Sequence, residues 1–281
     1  MSSFIRVKQL KELKQAIFNG DYLMASLLLA RVFQPCSFQL DNYQDKADLM
    51  IEQAKIFIGS TDITAANFKR FIQFFYAELL FSGDGKNNFS CEHSLLNNVL
   101  DYRTGVPVSL AIVFQSMASK IGFDVCGVNF PGHFLIKCRL RHQPNIYLDP
   151  LNGKQLTRQD LESLYFTILN EIEDEKMPDE ALDEASCDET IVRLLHNLKA
   201  SYINEKRYSK ALTAVELLVD LCPNDPYERR DRGFLLHQLD CTQVAMVDYQ
   251  YFIRKCPEDP ATQLLQAQLQ QLSELTPAIF H

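Results

Sequence analysis

Four groups of residues combine types and spacings that chemistry could use. Cys126 lies seven residues before His133 in β-rich sequence, so a thiol and an imidazole could face each other across adjacent strands. That pair would lack the helix N-terminus that lowers a thiol pKa. Cys91-Glu92-His93 gathers metal-ligand residue types, but two ligands in one loop make a poor site without partners. The run 171–190 holds ten Asp/Glu and one Lys, without the Asp-x-Asp-x-Asp-Gly loop that wraps calcium, and reads as a solvated acidic linker. No metal and no cofactor is expected. Arg229, Arg230 and Arg232 cluster near the C-terminal third, where they could take an acidic peptide or hold the chain's own 171–190 run.

Composition narrows the classes that these groups could serve. The 281 residues are 47% hydrophobic and 23% charged, which is ordinary for a globular protein and excludes disorder throughout. The net charge of −8 argues against a nucleic-acid groove or an anionic membrane surface, both of which want a basic face. The 171–190 run alone more than accounts for that charge, leaving two nearly neutral parts around an acidic seam. The first 18 residues are amphipathic and lack the apolar core and small-residue cleavage site of a signal peptide. No stretch reaches the roughly 18 apolar residues of a membrane span. Eight cysteines without a CxxC pair read as reduced, packed thiols in a cytoplasmic protein.

The elements that would position these residues follow from periodicity. Apolar spacing predicts two helices over 4–33 with a break at Gly20-Asp21, then helices over 42–58 and 65–81. The aromatics of the last (Phe68, Phe71, Phe74, Phe75, Tyr76) follow helical spacing and read as core. Residues 82–88 form a loop by composition, and 94–102 a short helix. Thr104-Gly105-Val106-Pro107 is a helix entry, with Pro107 where its missing N–H costs nothing, and the helix stops at Gly122. Three β-rich runs follow at 123–129, 133–139 and 146–148, with Pro131-Gly132 and Gln143-Pro144-Asn145 as turns. One helix followed by an antiparallel meander is an α+β signature. A helix over 157–170 precedes the acidic run.

Beyond Thr190 the chain repeats. Cys222-Pro223 recurs as Cys256-Pro257, Asp225-Pro226 as Asp259-Pro260, and Ala211 as Ala245, each at an offset of 34, the tetratricopeptide period. The repeats occupy 192–225 and 226–259, with a capping helix over 260–272 to cover the last face. The pattern places Leu198 and Tyr202 in the first helix, Gly233 at a helix crossing and Tyr249 on a packed face. Domain boundaries follow: a helical region 1–90, a core 91–170, the acidic linker 171–190 and the repeats 191–281. Such repeats offer a concave surface for a protein or peptide partner. Arg229, Arg230, Arg232 and Tyr202 are the candidate binding residues.

Residues 96–150, from Leu96-Asn97-Asn98-Val99-Leu100 through Phe130-Pro131-Gly132-His133 to Leu148-Asp149-Pro150, resemble the transglutaminase-like fold, a branch of the papain-type cysteine hydrolases. The resemblance implies an α+β core of one helix and an antiparallel sheet. It also implies that His133 and Asp149 stand at the family's histidine and aspartate. Gly105-x-Pro107 falls on the family's Gly-x-Cys, so the nucleophile position is Pro107. Ser109 is the nearest hydroxyl, but two residues along a helix it points roughly 200° away. With the Arg103–Ser109 run and the two repeats, the chain is similar to the YchA/SirB-like bacterial family, which joins such a core to tetratricopeptide repeats. The implied function is a non-catalytic adaptor or regulatory protein with a vestigial His133–Asp149 dyad. The alternative is a hydrolase or transferase with a displaced nucleophile that uses the same two residues.

Overall fold

The structure is a computed structural model that describes residues 3–35, 38–84, 90–170 and 176–275. The chain divides into two compact units that meet between Leu194 and Leu195.

The first unit opens with helices α1 (Ser3–Phe18), α2 (Tyr22–Phe33), α3 (Leu40–Ile58) and α4 (Ala65–Gln73). Their ends carry the capping chemistry that the sequence suggests. Asp21 accepts the Met24 N–H at the start of α2, Thr64 accepts the Asn67 N–H at the start of α4, and Gly59 in the left-handed region closes α3. The helix expected over 65–81 is shorter, because a π-helical turn (Phe74–Glu78) ends it. Its aromatics are core, as expected. Phe68, Phe71 and Phe75 are fully buried, and Phe71 and Phe75 meet Phe114 at ring separations of 4.8 and 5.0 Å.

Strand β1 (Ser82–Gly83) pairs in parallel with β2 (Thr104–Gly105), with α5 (Leu96–Tyr102) between them. Ser82 and Gly83 are therefore strand rather than loop, and part of the loop expected over 82–88 lies outside the described residues. Helix α6 (Pro107–Ile121) is buried along most of its length. It packs on an antiparallel sheet of β3 (Asp124–Val128), β4 (Leu135–Arg139), β5 (Ile146–Leu148) and β6 (Gln155–Leu156), in that order. The three expected strands are present; the two-residue β6 is too short to leave a period in the sequence. Helix α7 (Arg158–Leu169) follows with a Thr157/Asp160 capping box.

The acidic run departs from its reading as a linker. Residues 171–175 lie outside the described residues, but 176–186 pack against the sheet. Met177 and Leu182 are buried with Val128, Phe130 and Leu135. Ala185 N–H bonds Gly127 O at 2.9 Å, and Glu184 bridges Val128. The apolar residues spaced between the acids explain this: the carboxylates stay in solvent while Met177, Leu182 and Ala185 are buried.

Helix α8 (Cys187–Asn204) leads into the second unit, which continues with α9 (Tyr208–Leu221), α10 (Pro226–Gln238), α11 (Thr242–Lys255) and α12 (Pro260–Leu275). The helix pairs keep the 34-residue spacing. At Gly233 an added Cβ would sit 2.8 Å from the Tyr249 ring and 3.2 Å from Ala245 O, so only glycine lets α10 approach α11 this closely. Tyr249, Ala245 and Phe252 form the core of the second repeat together with Leu265 of the capping helix. Among the described residues, no helix is long and apolar enough to cross a membrane.

Candidate functional site

The start of α6 is held by backbone bonds. Val106 donates its N–H to His93 O at 3.1 Å, and Gly105 pairs with Gly83 across β1–β2. Pro107 occupies the first helical position, where its ring presents neither a thiol nor an N–H. Ser109 is fully buried and its hydroxyl is committed. Its Oγ donates to His93 O (2.7 Å) and accepts the Val106 N–H (3.1 Å). A Cβ at position 105 would lie 2.7 Å from that Oγ, which fixes glycine there. The hydroxyl thus serves the turn and is not presented as a nucleophile.

His133 ends the tight turn that carries the chain from β3 to β4, with its N–H bonded to Phe130 O at 3.1 Å. Arg193 of α8 clamps this turn, donating to Asn129 Oδ1 (3.1 Å) and His133 O (3.2 Å). Asp149 follows β5. Its Oδ1 lies 3.3 Å from His133 Nε2, with the two side chains 16% and 21% exposed, so the pair is sheltered yet reachable. Leu151 N–H (2.9 Å) and Asn152 Nδ2 (3.3 Å) also donate to the Asp149 carboxylate. Burial pushes this carboxyl up, but the hydrogen bonds from His133, Leu151 and Asn152 outweigh it and hold the pKa below the usual range.

The Asp149 loop is wired back to the α6 entry. Gly83 donates its N–H to Leu151 O at 2.9 Å, and Gly83 itself pairs with Gly105. Tyr76 donates its hydroxyl to Pro150 O at 3.0 Å, and burial raises its pKa. An ionised carboxylate fixing an imidazole can orient it to accept or donate a proton. The arrangement therefore offers proton transfer or polar recognition.

The other candidates fall elsewhere. Cys126 is paired with Lys137, not His133, in the β3–β4 register, and burial pushes its thiol up to about 11, so it stays protonated near neutrality. Cys91 is buried, and His93 Nδ1 lies 3.9 Å from Asp84 Oδ2. Among the described residues, no group of three or more His, Cys, Asp or Glu could hold a metal.

In the repeats, the arginine cluster is turned to internal pairing. Arg229 (3.1 Å) and Arg232 (2.6 Å) converge on Asp248, which is fully buried, and Arg230 donates to Asp231 at 2.9 Å. The expectation that these three side chains form a free anion-binding patch is corrected: Arg229 and Arg232 are needed by a buried carboxylate, which would be costly unpaired, and Arg230 is engaged by Asp231. Tyr202 is also corrected as a binding residue, since it is fully buried. Among the described residues, the exposed apolar side chains on the repeat helices include Tyr227 (43%), Phe234 (40%), Val244 (53%), Val247 (57%) and Leu264 (72%). Tyr227 and Phe234 share a face of α10 at seven-residue spacing, and Leu264 of α12 stands 34 residues after Arg230 of that face. Gln268 Nε2 ties α12 to His237 Nδ1 of α10 at 2.8 Å.

A helix laid on an antiparallel sheet, with a histidine before one strand and an aspartate after the next, is the arrangement of a transglutaminase-like core. Residues 40–196 match the transglutaminase-like superfamily and residues 198–270 the tetratricopeptide-repeat family. The chain belongs to the transglutaminase-like superfamily and, within it, to the YchA/SirB-like bacterial family. It is similar to a UPF0162 protein of Vibrio cholerae, at 34% identity over 83% of this chain and 85% of that one. It is also similar to Protein SirB1 of Salmonella typhimurium (29%) and to UPF0162 protein YchA of Escherichia coli K12 (30%), each over 91% of this chain and 94% of the relative. No solved structure matches significantly.

Proposed function

We infer that the protein is a non-catalytic adaptor or regulatory protein, in which the transglutaminase-like core recognises a ligand or segment and the repeats bind a protein partner. The observation that carries the reading is the α6 entry: Pro107 stands where the nucleophile would be, and the Ser109 hydroxyl is spent on His93 O and Val106 N–H. Tetratricopeptide repeats generally mediate protein interactions, and Tyr227, Phe234 and Leu264 supply exposed apolar contacts on the repeat helices. Affinity capture from a bacterial lysate tests the adaptor role. A Tyr227→Ala/Phe234→Ala/Leu264→Ala chain should lose partners that the wild type retains, whereas identical capture by both would count against it.

A second reading is favoured by one observation, the intact 3.3 Å His133–Asp149 contact in a reachable cleft. Here the pair is a general base acting on water in a hydrolase without a covalent intermediate, or it serves a nucleophile supplied from elsewhere. A hydrolytic activity that Asp149→Asn and His133→Ala each abolish would establish this reading in place of the first.

A further inference from the structure

The first unit contains a second concavity that the His133–Asp149 cleft does not use. It has a volume of about 550 Å³ and lies among the α1–α2 turn, α3, the C-terminal half of α6 and β3. Its α6 residues, Gln115 to Lys120, stand 8 to 13 positions past Pro107, or about 12 to 20 Å along the helix axis. A volume of this order suits a small molecule.

The lining carries charges of both signs that are not paired with each other. Lys120 comes from the last turn of α6, Asp21 from the start of α2 and Asp48 from the outer face of α3. Neither Lys120 nor Asp48 has an ion-pair partner among the described residues, and Asp21 accepts only the Met24 N–H that it caps. Glu184, the remaining charged residue of the lining, is held by Arg139 at 2.8 Å. Between these groups the floor is apolar: Ile51, Val125 and Cys126 are all buried. Burial keeps the Cys126 thiol protonated, so it acts there as a small apolar surface.

We propose that this cavity binds a zwitterionic α-amino acid with an apolar side chain. The carboxylate would pair with Lys120 and the ammonium would lie between Asp21 and Asp48, with the side chain on Ile51, Val125 and Cys126. The chemistry follows from complementarity. A purely anionic ligand would face two carboxylates and a purely cationic one would leave Lys120 unmet, whereas a zwitterion satisfies both. A free amino acid fits better than an internal peptide residue, which has neither charged end.

The test uses the full chain and the twenty standard amino acids, each at about 10 mM, read as a shift in melting temperature. At least one apolar amino acid should raise the melting temperature, and its deaminated acid and decarboxylated amine should not. For leucine these analogues are 4-methylpentanoate and 3-methylbutylamine. Calorimetric titration of the responsive amino acid should then show about tenfold weaker binding to Lys120→Gln and to Asp48→Asn. Both residues are exposed, so neither variant threatens folding. Lys120→Gln should weaken the amino acid more than its amine analogue, and Asp48→Asn more than its carboxylic acid analogue. The proposal is overturned if no amino acid shifts the melting temperature, if either single-charge analogue does as well, or if both variants bind unchanged. Because Pro107, His133 and Asp149 take no part, the outcome is independent of how the core and repeats are used.

Discussion

Each unit of the chain holds a histidine against a carboxylate, and the two pairs are built for different ends. In the repeats, His196 Nε2 lies 2.8 Å from Glu228, and Lys199 donates to the same carboxylate at 2.8 Å while also reaching Asp231 at 2.7 Å. Glu228 is only 4% exposed, and burial pushes its carboxyl up while the bonds from His196 and Lys199 bring it below the usual range. That pair is cross-braced between α8 and α10 and has little freedom to do anything but hold them. In the core, the 3.3 Å His133–Asp149 contact is looser, and its support comes from the Leu151 N–H, the Asn152 side-chain amide and a clamped turn rather than from a second cation. A shared residue pairing is therefore no guide to role; the source of the remaining hydrogen bonds is. Lys199 locks the one in place, whereas the other keeps part of its surface open to solvent.

The comparison breaks most sharply under truncation of the repeat charges. Glu228→Gln leaves His196 and the buried Lys199 facing a neutral amide, and should destabilise the protein by about 3 kcal/mol in urea unfolding. His133→Ala in the half-open cleft should cost less than about 1 kcal/mol. Equal losses would erase the distinction between braced and open pairs. Next in size is Gly233→Ala, where the added methyl meets the Tyr249 ring at 2.8 Å and should cost about 1 to 3 kcal/mol by the same measurement.

The pH dependence sharpens the same contrast at smaller amplitude. Asp149 is held below its unfolded value of about 3.9, so its contribution is present above that pH and is lost as pH falls through the folded pKa. Stability of the wild type followed below about pH 4 should fall more steeply than that of Asp149→Asn. Identical acid slopes would mean that the His133, Leu151 and Asn152 bonds do not favour the ionised form.

Much of this was legible in the residues, for physical reasons. A period of 34 survives because each repeat must present the same packing and turn positions to its neighbour, and Ala211/Ala245 with the Cys-Pro and Asp-Pro pairs are those positions. The helix entry was readable from Pro107, and the α6 stop from Gly122, because backbone geometry limits the residues that each position accepts. Arg193 and Tyr76 were invisible: each acts on a backbone carbonyl tens of residues away, and such contacts leave no local pattern. The arginine cluster misled because three cations within four residues look like a surface, while the carboxylate that Arg229 and Arg232 share, Asp248, sits on the next helix. The acidic run misled for the opposite reason, since its charge masks the spaced Met177, Leu182 and Ala185 that pack on the sheet.

The central claim is that the His133–Asp149 pair acts without a nucleophile at the α6 entry, and mass spectrometry after treatment with thiol- and serine-directed acylating probes tests it most directly. A Cys241→Ser background removes the exposed cysteine. In that background the wild-type sequence should carry no adduct that depends on His133. Pro107→Cys, which places a thiol at the first position of α6, should be acylated at residue 107 and lose that adduct with His133→Ala. An adduct on the chain with Pro107 intact that His133→Ala abolishes would contradict the account.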